Sequence, residues 1–196
     1  MKKLRWRTFM KIGDYLLAFC ITFFAVEVAA TPAQVLLIRH GEKPPTGEHL
    51  TVKGKERAAA LAPYFMETDA WLQYGTAVAI YATKIDADDK SYRTQETITP
   101  LSLALKVPIK ADYIMTEYAL AAHEILNEPK YDGKMVLVCW EHKNIHLFAK
   151  ALGVTTDTPK WQGDVFDQVW SVSFSPNETP NLAIVQQALM FGDTAP

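Results

Sequence analysis

The sequence predicts an α/β fold, a three-layer sandwich with a mostly parallel central sheet flanked by helices. Two observations carry this expectation. Several strand-length runs are apolar at every position rather than at alternate ones, as in 34–38 (QVLLI) and 134–140 (KMVLVCW). That is the pattern of strands buried on both faces. Stretches with apolar residues at helical spacing alternate with these runs, as parallel strands joined by crossover helices require.

Taken in order, 34–38 is the first strand. Residues 51–66 set Ala58, Ala59, Leu61, Ala62 and Phe65 at helical spacing, and 77–81 (AVAIY) forms the second strand. A polar loop, 84–92 (KIDADDKSY), leads to a helix over 93–105, which Pro100 is expected to bend or break. Residues 113–115 read as a short strand and 117–126 as a helix. The clearest strand is 134–140, followed by a helix over 144–152 that Gly153 stops. Residues 165–174 and 182–191 alternate enough to be late strands, antiparallel at an edge.

The chain has 196 residues, 49% hydrophobic and 21% charged. These values are ordinary for a globular protein and exclude a disordered, collagen-like or polytopic membrane chain. A formal net charge of −2 argues against a nucleic-acid partner. The first thirty residues stand apart. Lys2, Lys3, Arg5, Arg7 and Lys11 precede an apolar run from Tyr15 to Val26, and then Val28, Ala29 and Ala30. Basic region, short apolar core and small-residue site is the order of a secretory signal. The chain is therefore read as a signal peptide, 1–30, cleaved after Ala30, and one domain, 31–196, periplasmic or secreted. Glu27 interrupts the apolar run short of the ~20 residues that a spanning helix needs, so no membrane span is expected in the mature protein. Retention of the segment as an anchor is the alternative. Cys139 alone survives cleavage, so no internal disulfide is expected.

In such sheets ligands bind beyond the carboxyl ends of the strands. Arg39, His40, Gly41 and Glu42 follow the first strand, Glu141 and His142 follow 134–140, and the loop after 77–81 leads to Arg93. Two arginines and two histidines thus fall at one edge. Guanidinium groups form paired, planar hydrogen bonds to phosphate oxygens. A neutral imidazole can attack phosphorus and divide one difficult hydrolysis into two easier steps through a phosphohistidine. Gly41 is expected to let the backbone pass close to the ligand.

The segment Val35-Leu36-Leu37-Ile38-Arg39-His40-Gly41-Glu42 resembles the signature of the histidine phosphatase superfamily, which includes the phosphoglycerate mutases. Ser91-Tyr92-Arg93-Thr94-Gln95-Glu96-Thr97 is similar to the family's second segment, and Val136-Leu137-Val138-Cys139-Trp140-Glu141-His142 to the strand that delivers its second histidine. The resemblance implies a phosphoglycerate mutase-like fold with His40 as the phosphorylated nucleophile. It implies that Arg39, Arg93 and His142 bind the phosphoryl group. A carboxylic acid would protonate the leaving oxygen and later activate water. Glu117 sits where the mutase-like branch keeps that acid. Glu141, next to His142, is the rival. The acid-phosphatase branch keeps an Asp just after its second histidine, where this chain has Lys143. Glu42 is read as orienting the loop, and Asn144 as lining the pocket or capping a helix.

His142 and His146 are four apart and would share a helical face, but the zinc-protease pattern needs Glu directly after the first histidine. No metal and no cofactor are expected. His49 and His123 are read as surface residues, and Cys139, Trp161 and Trp170 as core. The leading reading is an exported, metal-independent phosphomonoesterase whose substrate is a small-molecule or cell-envelope phosphomonoester. The alternatives are a phosphate-binding, non-catalytic member of the same family and a phosphomutase.

Overall fold

The computed structural model describes residues 31–87 and 90–193; the expected signal segment, 1–30, lies outside the described residues. The elements run β1 (Gln34–Arg39), α1 (Val52–Glu67), α2 (Asp69–Leu72), β2 (Ala79–Ala82), α3 (Arg93–Leu105), β3 (Ile109–Lys110), α4 (Tyr118–Asn127), β4 (Met135–Trp140), α5 (His142–Ala151), β5 (Gln168–Ser173) and β6 (Asn181–Gln186). A short 3-10 turn, Pro129–Tyr131, precedes β4.

One sheet of six strands has the order β3-β2-β4-β1-β5-β6. β3, β2, β4 and β1 are parallel. β5 runs antiparallel to β1 and β6 antiparallel to β5, so the late strands form the expected antiparallel edge. Side chains along β1 alternate between faces, and both faces are covered. Val35 and Leu37 pack with Ala121 and Ile125 of α4 and Phe148 of α5. Leu36 and Ile38 pack with Leu61 and Phe65 of α1 and Ile98 and Leu101 of α3. This double burial is the physical reason for the unbroken apolar run.

The register positions the chemistry. Arg39, the last residue of β1, pairs with Trp140, the last residue of β4. The next residues, His40 and Glu141, therefore leave neighbouring parallel strands side by side.

One expectation is corrected and two others gain detail. Residues 113–115 form a turn, not a strand. The edge of β2 is taken by Ile109 and Lys110 instead, and the turn is held by polar bonds: Lys84 N–H donates to the Tyr113 carbonyl and Tyr113 Oη to Glu124. Helix α3 runs through Pro100 without a break; its buried Ile98 and Leu101 on either side hold it to the core. Gly41 is required by the packing of the protein itself, whatever it does for a ligand. A Cβ there would stand 2.8 Å from the Gly54 carbonyl oxygen, and one on Gly54 would stand 2.4 Å from that of Glu42. The turn after β1 thus abuts the start of α1 backbone to backbone. Boundaries also shift: α5 begins at His142, and α2 is a helix the sequence did not suggest. Cys139, Trp161 and Trp170 are buried as expected, and His49 is exposed, paired with Glu96.

Candidate active site

His40 has no accessible surface. Its Nδ1 lies 2.7 Å from the Gly41 carbonyl oxygen. A carbonyl only accepts, so Nδ1 carries the proton and Nε2 keeps its lone pair. Nε2 makes no hydrogen bond among the described residues; the nearest carboxylate oxygen, Glu141 Oε2, is 3.4 Å away. Burial lowers the His40 pKa below its ordinary value, and the Arg39 charge adds to this; the Glu141 contact opposes without reversing it. At neutral pH the ring is uncharged and its free nitrogen is nucleophilic.

Arg39 is 1% exposed. Its Nη1 donates to the carbonyls of Gln162 (3.2 Å), Gly163 (3.0 Å) and Val165 (2.7 Å), and Phe166 stacks 3.9 Å from the guanidinium carbon. Burial pushes its pKa down to about 10, with Glu141 the strongest opposing charge; it remains a cation at neutral pH. Nε has no hydrogen-bond partner among the described residues, and Nη2 has only a 3.4 Å approach to His142 Nδ1. One side of the guanidinium is thus anchored. The Nε–Nη2 edge, the fork that grips oxyanions in pairs, is left over.

Glu141 lies between the two histidines, with Oε1 2.6 Å from His142 Nδ1. Burial favours its neutral form, but the hydrogen bond with His142, and then the His40 ring beside it, outweigh this and hold the carboxyl well below the usual range. Glu141 is therefore ionised and orients His142, as second partners of functional histidines do.

Arg93 opens α3, and its Nε donates to Ser91 Oγ at 2.8 Å. Its charge reaches Arg39, whose pKa it lowers. Thr97 ties the two segments together: its Oγ1 receives the Gly41 N–H at 2.9 Å and donates to the Arg93 carbonyl at 2.7 Å. The Ser and Thr that flank the second arginine in the sequence motif thus fix that arginine and the turn after β1.

Glu117 stands at the amino end of α4, and its carboxylate accepts from Ile114 N–H at 3.0 Å. The turn just before it is docked on the site's edge of the sheet, where the Met115 carbonyl accepts from both Trp140 Nε1 and Asn144 Nδ2 at 2.9 Å. Asn144 is therefore a clamp between α5 and this turn. Glu42 points away from His40 and pairs with Arg57 at 2.8 Å.

The structure thus joins Arg39, His40, Glu141 and His142 directly, with Arg93 acting electrostatically on Arg39. Sequence reasoning missed Phe166, the 162–165 carbonyls and Arg57. These contacts come from segments more than a hundred residues from β1 or α1, and no motif marks them.

One potential ligand atom from each of His40, Glu141 and His142 lies within 4.8 Å of the others, a set that could hold a metal ion. The Arg39 guanidinium, against the same His142 nitrogen, opposes a second cation there. The free donor edge and the neutral imidazole suit an oxyanion.

Comparison with protein families and with curated proteins gives no match in either case. Among solved structures the chain is similar to phosphoglycerate mutase from Plasmodium falciparum, at 15% identity over 83% of this chain and 93% of that one, with a TM-score of 0.52. It is also similar to the protein histidine phosphatase SixA, solved with tungstate, at 14% identity over 79% and 97% of the two chains, with a TM-score of 0.55. The fold is the one shared by phosphoglycerate mutases and histidine phosphatases.

Proposed function

We propose that the protein is an exported histidine phosphatase that hydrolyses phosphomonoesters through a phosphohistidine on His40, without a metal. The observation that carries this is the state of His40: proton on Nδ1, Nε2 without a hydrogen bond among the described residues, ring neutral, next in the chain to a buried guanidinium whose Nε is unpaired. In the first step Nε2 bonds to phosphorus as the bond to the ester oxygen breaks, and a carboxylic acid gives that oxygen its proton. The Arg39 edge and Arg93 balance charge on the outer oxygens. In the second step the same carboxylate takes a proton from water, the water oxygen bonds to phosphorus as the P–Nε2 bond breaks, and phosphate leaves. The neighbour solved with tungstate, a tetrahedral oxyanion, supports this use of the pocket.

Glu141 is held ionised and has no proton to give, which supports Glu117 as the acid and Glu141 as the group that positions His142. The signal-like segment at 1–30 supports export, and with it a small-molecule or cell-envelope substrate.

The test is phosphate release from an aryl phosphate with chelator present, together with trapping of an acid-labile phosphoenzyme. Wild type should show both and His40→Ala neither; equal release by the two would overturn the reading. Glu117→Gln should spare a good leaving group and block a poor one. If Glu141→Gln does so instead, the roles of the two carboxylates are reversed. Phosphate binding without turnover is the second reading. The lowered pKa of Glu141, the carboxylate nearest His40, favours it. Tight vanadate binding with no hydrolysis of any ester would establish it.

A further inference from the structure

Helix α4, which follows Glu117, is held to the sheet in two ways. Ala121, Ala122 and Ile125 pack into the core. Apolar contacts are not directional, and two alanines present a smooth surface on which a helix can turn about its axis. Glu124, in the second turn of α4, supplies the direction. Its carboxylate accepts from Tyr81 Oη of β2 at 2.9 Å, from Tyr113 Oη at 2.7 Å and from Lys110 Nζ of β3. Tyr81 gives its proton to Glu124, so the Tyr131 hydroxyl, 3.1 Å away, donates to Tyr81. Three segments thus converge on one carboxylate, through bonds that fix an angle.

We propose that Glu124 is a positioning residue for Glu117: with Tyr113, Lys110 and Tyr81 it sets the rotation of α4 and the place of the turn before it, and so the point at which Glu117 presents its carboxyl. This rests on the reading of Glu117 as the acid of a phosphatase and adds the device that aims it.

Glu117 and Glu124 are seven residues apart, about two helical turns, and so lie on one face of α4. The turn before the helix is pinned on both sides of Ile114, whose N–H donates to the Glu117 carboxylate at 3.0 Å. On one side, Tyr113 is bonded through its hydroxyl to Glu124 and through its carbonyl to Lys84 N–H. On the other, the Met115 carbonyl accepts from Trp140 and Asn144. The Glu124–Tyr113 bond therefore closes a ring between the turn and the helix, with Glu117 at their junction. Burial favours a neutral Glu124, but Lys110, then Tyr113 and Tyr81, outweigh it and hold its carboxyl below the ordinary value. The bond to Glu124, with burial adding to it, pushes the Tyr113 hydroxyl up to about 12. At neutral pH the acceptor is charged and its donors keep their protons. A misplacement of about 1 Å near a reacting centre costs up to about a hundredfold in rate. Esters with a poor leaving group, which need the proton, would register it; those with a good one would not.

The test compares an aryl phosphate, a good leaving group, with an alkyl phosphate, a poor one. Tyr113→Phe, which removes a single hydroxyl, and Glu124→Ala are measured in the wild-type chain and in Glu117→Gln. Both should keep kcat for the aryl ester within about twofold and lower it for the alkyl ester about tenfold, with KM unchanged. Neither should lower it further in Glu117→Gln, because the residues act through one proton. Equal losses on the two esters, no loss on either, or losses that add to that of Glu117→Gln overturn the proposal. Hydrogen exchange reads the same geometry without turnover. Exchange of the Ile114 amide should quicken about tenfold in both variants while that of Ile125, within α4, stays as in wild type. If it does and wild type hydrolyses no ester, the anchoring of Glu117 stands and the phosphatase reading falls. If Ile114 exchanges alike in wild type and both variants, the anchoring falls even where phosphate is released.

Discussion

The turn that follows β1 carries a buried charge cluster on each side. On one side, Arg57, 2% exposed, uses all three guanidinium nitrogens: Nε and Nη2 on Glu42, Nη1 and Nη2 on Asp193, and Nη1 also on Gln187. Burial works against its charge, and the bonds from Asp193 and Glu42 outweigh that and raise its pKa. On the other side, Arg39 is equally buried but keeps its Nε unbonded, and His40 keeps Nε2 unbonded, among the described residues. Desolvated polar atoms without partners cost free energy. A cluster that closes all its bonds holds structure, whereas one that keeps a donor and a lone pair unpaired has hydrogen-bonding capacity to spare. The Arg57 cluster ties the end of the described chain, at Asp193, to the turn that presents His40.

The largest effect separating the two sides is expected from His40→Ala. It should lower phosphate release about a thousandfold or more while costing less stability than loss of Arg57. Turnover against thermal midpoint for both variants measures this; an unfolded His40→Ala protein would collapse the distinction. Arg57→Leu should cost about 3–5 kcal/mol of unfolding free energy, because it takes the shared guanidinium from two largely buried carboxylates, Glu42 and Asp193. Denaturant titration reads it, and a loss below 1 kcal/mol would show the cluster to be dispensable.

A smaller effect should come from filling the open side. Vanadate at a hundred times its dissociation constant should stabilise wild type by about 2.7 kcal/mol, and Arg39→Gln should lose that gain. The pH dependence sharpens the comparison last. Glu42, Asp193 and Glu141 all titrate below their ordinary values. The stability they contribute is complete above about pH 4.5, where the unfolded carboxyls are ionised, and is lost as pH falls through the lower folded values. His40 is also shifted down, so the unfolded chain binds its proton first and stability declines as pH drops below about 6.5. Arg57→Leu should flatten the acid portion of the profile measured from pH 7 to pH 3. The acid limb of activity should lie below pH 6.5; a limb above it would contradict a neutral, buried nucleophile.

Most of the site was legible before folding, because its residues sit at strand ends and strand ends show in the apolar pattern. Arg39 and His40 follow one buried run and His142 follows another. The choice between Glu117 and Glu141 was not legible. Glu141 touches both histidines only because β1 and β4 pair in register to their last residues. The strand expected at 113–115 failed for a similar reason, since pairing to β2 depends on which segment reaches its edge, and a short run carries no information on that.

The amino-acid sequence alone determined the class of fold, the parallel core and which arginines and histidines fall at the carboxyl edge of the sheet, since these follow from local hydrophobic period and from residue chemistry. Only the tertiary structure decided which atoms remain free. The proton position on His40 is set by the turn at Gly41, the ionisation of Glu141 by the histidines of two paired strands, and the anchoring of Arg39 by carbonyls from a distant loop, and burial makes each of those contacts count.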